Sequence, residues 1–470
     1  MTPEEFRRHA HAVVDWIADY RARAASLPVV SRIEPGALRA SLPADPPEQG
    51  EPFEAILADL DRLVVPALTH WQHPGFFAFF PSNAELSSVL GDFVSTGLGV
   101  LGISWQACPA LTEVEEVATS WLRKVLGLSE GWSGVIEDTA STSTLVALLC
   151  AREKTTGFAM TRGGLAGERP LSVYCSEQSH SSVEKAALLA GFGRAHVRRV
   201  AVDGSFAMRP DALASAVASD LAAGLRPCAV VATTGTTATT AVDPVGAIAG
   251  IARAHGLWLH VDAALAGSAM LLPECRTLWE GIEGADSLVV NPHKWLGAAF
   301  DCSVYFVRDP QHLVRVMSTN PSYLRSGADE KATNYRDWGI PLGRRFRALK
   351  LWFLLRSEGV EGLRARLRRD IENARWLEAE VRARSGWRVV APVPLQTVCV
   401  RHEPRGLSGE ALDRHTLAWS ERVNRSGEAY VTPAVVDGRW MVRVSIGALP
   451  TGRADVEKLW KLMIAEAERA

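Results

Sequence analysis

The sequence predicts an α/β protein: a mostly parallel sheet flanked by helices, with a helical N-terminal segment and a small C-terminal α/β domain. Two observations carry this. Between about residues 113 and 355, short apolar runs of strand length alternate with helix-like stretches, the pattern of βαβ units whose sheet is buried on both faces. Before that region, near the N-terminus, apolar residues recur at helical steps of three and four. The 470 residues thus divide into a helical segment (1–85), a large α/β domain (86–355) and a small α/β domain (356–470).

Thr2-Pro3-Glu4-Glu5 provides an N-cap, a proline at the first helical position and a glutamate three residues after the cap. Phe6, Ala10, Val13, Ile17 and Tyr20 then draw one apolar stripe. A Pro/Gly-rich stretch over 43–52 reads as a linker, and a second helix is expected over 53–70, with Phe53, Ile56, Leu60 and Leu63 on one face. Two such helices cannot bury their stripes on each other alone, so they call for a larger surface, such as a partner subunit. The clearest strands are 171–175, 228–232, 257–261 and 287–290, with helical stretches at 182–190 and 245–255 between them. A long arginine-rich helix over 359–383 leads to a strand at 440–446 and a closing helix from 454.

Composition narrows the function. With 51 basic against 53 acidic side chains the net charge is -2, which lacks the basic excess of nucleic-acid and anionic-membrane binders. Seven cysteines, widely spaced and without a C-x-x-C pair, form neither a disulfide framework nor a zinc site, and no metal is expected. With neither a signal peptide nor an apolar run long enough to span a bilayer, the expectation is a soluble, reduced, cytoplasmic protein. Only 8 of the basic residues are lysines. Arginine cannot serve as an amine nucleophile, whereas a desolvated lysine can, so any lysine in an apolar setting stands out.

Lys294, in Val289-Val290-Asn291-Pro292-His293-Lys294-Trp295, follows a buried-looking strand and has no acidic neighbour before Asp301. Burial there depresses a lysine pKa and yields an amine able to form a Schiff base; the competing reading is a lysine snorkelling from a strand end. Asp262 ends the apolar run Trp258-Leu259-His260-Val261. A buried carboxylate needs a partner, either a structural arginine or a protonated ring nitrogen such as that of pyridoxal phosphate (PLP). Asp138-Thr139-Ala140-Ser141-Thr142-Ser143-Thr144 runs into a helix, where hydroxyls and free amides bind phosphate or simply cap. His180 and the threonines of Thr233-Thr234-Gly235-Thr236-Thr237 follow strand ends, where open parallel sheets place their ligands.

The strings HVDAALAGSA, NPHKWL, FDCS, QSHSSVEKA and IPLGRRFRALKLW, with THWQHPGFFAFFPS, SWQACPALTEVEEVATSWL and the C-terminal VRVSIG, occur in order over nearly the whole chain. Together they resemble the group II pyridoxal-phosphate-dependent decarboxylases, and most closely the aromatic-L-amino-acid decarboxylases. The resemblance implies the aspartate-aminotransferase fold of type I, with PLP bound in the large domain, and a homodimer. Lys294 matches the lysine that holds the cofactor as an internal aldimine, Asp262 the partner of the pyridine nitrogen, and His180 the histidine stacked on the ring. Ala140 and Ser141 match phosphate-binding positions, with Asn291 and His293 nearby, and Thr237 matches a threonine near the cofactor face. The implied reaction runs through an external aldimine and a quinonoid to an amine and carbon dioxide, with Tyr323, in a turn-rich loop, helping to reprotonate Cα.

On the substrate side the resemblance implies Trp71, Phe79, Phe80, Pro81, Ser82, Ile103 and Gly343, with Ile103 reaching across a dimer interface. FFAFF otherwise reads as a core strand, which is the reading kept for Phe76 and Phe77. The small residue at Gly343 leans towards an indole, so tryptophan is favoured over tyrosine, phenylalanine or dihydroxyphenylalanine. An oxygen-dependent aldehyde synthase on the same scaffold is the main alternative, which Tyr323 and His180 oppose. A glutamate or cysteine-sulfinate decarboxylase is disfavoured by the aromatic residues, and a non-catalytic scaffold by the intact Lys294, Asp262 and His180. One departure concerns the phosphate loop: Asp138 places an acid beside a phosphate position, and is expected to point away or to cap the helix.

Overall fold

The computed structural model describes residues 1–319 and 331–469. The chain forms two compact units, one of residues 82–378 with 389–399, the other of residues 1–81 with 379–388 and 400–470.

The first unit is built on a seven-stranded sheet of β1 (Ser133–Glu137), β2 (Leu171–Ser176), β3 (Val197–Val200), β4 (Arg226–Thr233), β5 (Trp258–Asp262), β6 (Ser287–Val290) and β7 (Ser303–Val307), in the order β1-β7-β6-β5-β4-β2-β3. Neighbours from β3 to β6 run parallel, while β7 is antiparallel to both β6 and β1. β1 therefore points the same way as β6, and every strand except β7 ends at one edge. The four strands expected from apolar runs are β2, β4, β5 and β6. β3 escaped because its sequence, VRRV, carries two arginines.

The helix Ala140–Thr156 lies across one face of this sheet. Its Val146, Ala147 and Cys150 pack in one buried cluster with Val173, Val231, Trp258 and Tyr305. All seven cysteines are free and buried. The long helix spans Ala348–Ala383 but breaks at Gly359, where φ is +63°, so the expected start at 359 coincides with its interruption. A buried ion pair ties the segment before this helix to the sheet. Arg344 donates to both oxygens of Glu115, at 3.0 and 2.7 Å, and to the carbonyl of Ile136 at 2.7 Å.

In the second unit, helix Pro3–Arg23 starts with the expected capping box between Thr2 and Glu5, yet none of its residues is buried. The second helix is shorter and less regular than expected: an α segment Phe53–Asp59, a wide π turn Leu60–Val64 and a 3-10 turn Val65–Ala67. Pro66 has no N–H to continue the ladder. Phe76 and Phe77 are buried as expected, but FFAFF is not a strand. It makes one bridge, Phe76 to Tyr430, and turns at Phe79, where φ is +49°. The C-terminal residues supply β8 (Trp387–Val389), β9 (Thr397–His402), β10 (Thr432–Val436) and β11 (Arg439–Ser445), in the order β10-β11-β9-β8. The closing helix is Arg453–Glu468.

Replacing Arg344 by methionine leaves the fully buried Glu115 carboxylate without its cation. The expected cost is about 3–5 kcal/mol, read as a lower urea midpoint at unchanged slope; an unchanged midpoint would show that this ion pair does not support the fold.

Candidate active site

Parallel strands deliver the site. β1, β2, β4, β5 and β6 end at the same edge, and the residues just past them are Asp138–Ser141, His180, Thr234–Thr237, Asp262 itself and Asn291–Lys294. Asp262 lies in register with Thr233 on β4 and Val289 on β6. It is buried, accepts one hydrogen bond from the Ala264 amide at 3.1 Å, and forms no ion pair among the described residues. His180 lies close enough to Asp262 and Lys294 to feel both charges. Its pKa is lowered, chiefly by desolvation and further by Lys294, while Asp262 opposes. The Ser182 amide donates to its Nδ1 at 3.1 Å, so the neutral ring carries its proton on Nε2.

Lys294 occupies a π turn, Pro292–Leu296, in which its own φ and ψ are non-helical. The turn is clamped from several sides. Asn83 donates its side-chain N–H to the Lys294 carbonyl and its backbone N–H to the His293 carbonyl, each at 3.1 Å. Trp295 donates to Asp370 at 2.9 Å, and Arg366 donates to the carbonyls of Trp295 and Leu296. Gly297, at φ +98°, closes the turn where a Cβ would meet Arg366 at 2.9 Å. The Cys302 amide donates to His293 Nδ1 at 3.0 Å, and burial pushes this imidazole down to about 3, so it is neutral. Asn291 accepts from Ser303 Oγ at 2.7 Å, and Ser303 in turn faces Ser143 of the helix Ala140–Thr156 at 3.5 Å.

At that helix start Thr139 makes no side-chain cap, which leaves the amides of Ala140 and Ser141 untaken by one. Asp138 folds back on its neighbour, accepting from the Thr139 amide at 2.6 Å, so its charge is spent in the turn. Thr237 is exposed in the turn after β4, and the threonine in register with Asp262 is Thr233. Ile103 and Gly343 are brought together through the Gly102 amide and the Arg344 carbonyl, 2.9 Å apart; a Cβ on Gly343 would lie 3.3 Å from Leu101 Cδ1. Ser82 belongs to this same unit and is partly exposed. In the other unit Trp71 stacks on Phe79 at 5.7 Å, both partly exposed, the Arg443 guanidinium lies 4.7 Å from the Phe80 ring, and Pro81 is buried. Tyr323 lies outside the described residues.

Several residues escaped the sequence reading. Lys350 is fully buried and paired with Asp92 at 2.9 Å. Its partner is far upstream, so a search for nearby acids misses it. His260 shares the face of β5 with Asp262, bonds Ser287 through Nδ1 at 2.9 Å, and burial lowers it to about 4. Asn83 and Glu137 carried no local signal.

The matched family, described as "Pyridoxal-dependent decarboxylase conserved domain", covers residues 35–403. The chain belongs to this family. It is 40% identical to tyrosine decarboxylase 4 of Petroselinum crispum, covering 100% of this chain and 94% of that one. It is 39% identical to phenylacetaldehyde synthase of Arabidopsis thaliana, covering 99% and 96%. The crystal structure of Oryza sativa TDC with PLP and tryptamine superposes with a TM-score of 0.97 at 37% identity, covering 99% and 98%.

The enzyme depends on PLP, and its residues fit that group. Asp262 is a buried carboxylate lacking a cation, which a protonated ring nitrogen supplies, and the uncapped helix start offers amides to a phosphate. Among the described residues no helix is long and apolar enough to cross a membrane, and no cluster of His, Cys, Asp or Glu is arranged to hold a metal.

Asn83→Ala removes one of the bonds that fix the Lys294 turn. Loss of one such bond, about 1 kcal/mol, should speed PLP release severalfold in a dialysis or absorbance assay with circular dichroism unchanged; wild-type retention would remove Asn83 from the clamp.

Proposed function

We propose that this chain decarboxylates an aromatic L-amino acid, with tryptophan favoured, to the arylalkylamine and carbon dioxide. The observation that carries the reading is the gathering of Lys294, Asp262 and His180 at one sheet edge in a chain of this family. In this reading the Lys294 amine holds the cofactor covalently, and the amides of Ala140 and Ser141 bind its phosphate, with Asn291, His293 and Thr237 around it. Asp262 keeps a proton on the ring nitrogen. When bound, PLP supplies the electron sink for the pair released from the Cα–carboxylate bond. His180 presents a neutral ring with its Nε2 proton available to the substrate carboxylate. Tyr323 delivers a proton towards Cα.

The aromatic class is supported by the likeness to a tyrosine decarboxylase and to a structure holding tryptamine, and by the partly exposed Trp71–Phe79 stack. Phe80, Pro81, Ser82, Ile103 and Gly343 complete the proposed substrate contacts. A homodimer fits the exposed Leu86, Leu90, Phe93, Val94 and Leu98 on one helix of the larger unit and the unburied N-terminal helix. The second reading, favoured by the likeness to phenylacetaldehyde synthase, is an oxidative one in which dioxygen and water are consumed and aldehyde, carbon dioxide, ammonia and peroxide leave.

Aerobic incubation of the holoenzyme with a panel of amino acids separates the two. Amine without peroxide, fastest from tryptophan, is expected; aldehyde with equal peroxide and ammonia would replace the decarboxylase reading. Tyr323→Phe should divert part of the product to aldehyde, and an unchanged amine yield would take Tyr323 out of the proton transfer.

A further inference from the structure

Glu137, the last residue of β1, is a buried acid that the proposed chemistry leaves unused. It is 4% exposed, and its Oε1 has no hydrogen-bond partner. That oxygen packs against Gly339, where a Cβ would fall 2.3 Å away, so it faces a C–H surface rather than a donor. The cations around it are engaged elsewhere. Arg344 spends its donors on Glu115 and the Ile136 carbonyl, and Arg347 pairs with Asp301 at 2.9 Å. Other ionisable neighbours among the described residues include Glu115 from the helix Pro109–Leu126, Asp138 on the following turn, and Tyr305 on β7. Burial raises Glu137 to about 7, with Glu115 and Asp138 adding to the rise and Arg344 and Arg347 opposing it.

Its place in the fold gives this acid a role. Glu137 pairs in register with Ser303, so both side chains share one face of the sheet. On that face Ser303 reaches Ser143, in the first turns of the helix whose N-terminus is the proposed phosphate site, and Asn291, next to the Lys294 turn. A phosphate dianion at this helix start would therefore share a sheet face with a carboxyl group whose Oε1 meets no donor, and two negative charges in one buried setting favour protonation of the weaker acid.

We propose that Glu137 takes up one proton from solvent when a phosphate monoester binds at the start of helix Ala140–Thr156, so that cofactor loading is proton-linked. This rests on the phosphate reading of that helix start. Below neutral pH the acid is already protonated and binding is unaffected. As pH rises, a proton must be recovered, and affinity falls by up to about tenfold per pH unit, the limit for one linked proton.

The test compares apo wild type with Glu137→Gln, binding PLP and, separately, pyridoxal, which lacks the phosphate, between pH 7 and 9. Wild-type PLP affinity should fall with pH relative to the variant, while the two proteins follow parallel curves for pyridoxal. Parallel curves for PLP as well would overturn the proposal. PLP binding no tighter than pyridoxal in either protein would remove the phosphate reading, and the proposal with it. Should the variant fail to fold, proton uptake by wild type, followed with an indicator dye above pH 7.5, decides: more uptake with PLP than with pyridoxal is expected, and equal uptake refutes the linkage.

Discussion

A carboxylate held out of water at Asp262 is the constraint around which the larger unit is arranged. It sits between β4 and β6, in register with Thr233 and Val289, with one backbone amide as its hydrogen-bond donor. A buried carboxyl group with so few partners is costly, and the proposed cofactor would supply the cation it lacks. Its surroundings follow from that need. The imidazoles of His180 and His260 are both driven towards neutrality by burial, so neither competes as a permanent counter-ion. The amine of Lys294 is carried on a turn whose backbone is bonded by Asn83 and Arg366. Parallel strand ends bring these groups together although the chain separates them widely, because each βαβ crossover returns the next strand end to the same edge.

The sequence disclosed whatever depends on local order. β2, β4, β5 and β6 are continuous apolar runs, and each was legible from its own residues. Lys294, Asp262 and His180 each end or follow such a run, so their placement needed only the rule that parallel strands share an edge. What depends on distant pairing stayed hidden. Lys350 looked like any helical lysine, since nothing near it in sequence announces Asp92. Asn83 sits in an unremarkable polar stretch, and its bonds to the carbonyls of His293 and Lys294 exist only in three dimensions. FFAFF misled for a different reason: its composition favours a strand, but the positive φ at Phe79 turns the chain after a single bridge. Composition reports the preference of a segment, and tertiary bonding overrode it.

The two acids that precede the helix start proposed to bind phosphate show how position decides the meaning of a charge. Asp138 and Glu137 are adjacent, and from sequence only Asp138 drew notice, as an acid beside Ala140 and Ser141. In the fold Asp138 is partly solvated and bonded to the Thr139 amide, so its charge is screened and occupied. Glu137 points the other way, into the face shared by Ser303 and Tyr305, where no donor meets its Oε1. Glu137 is the last strand residue and Asp138 lies in the bend after it, so a one-residue step separates a turn acid from a buried one. The buried acid differs from Asp262 in kind. In the proposed reading Asp262 would face a positive ring nitrogen, whereas Glu137 would lie on the sheet face that leads to the phosphate. On the proposed reading one cofactor would place opposite electrostatic demands on two carboxyl groups of one sheet, a cation beside Asp262 on β5 and an anion near Glu137 on β1.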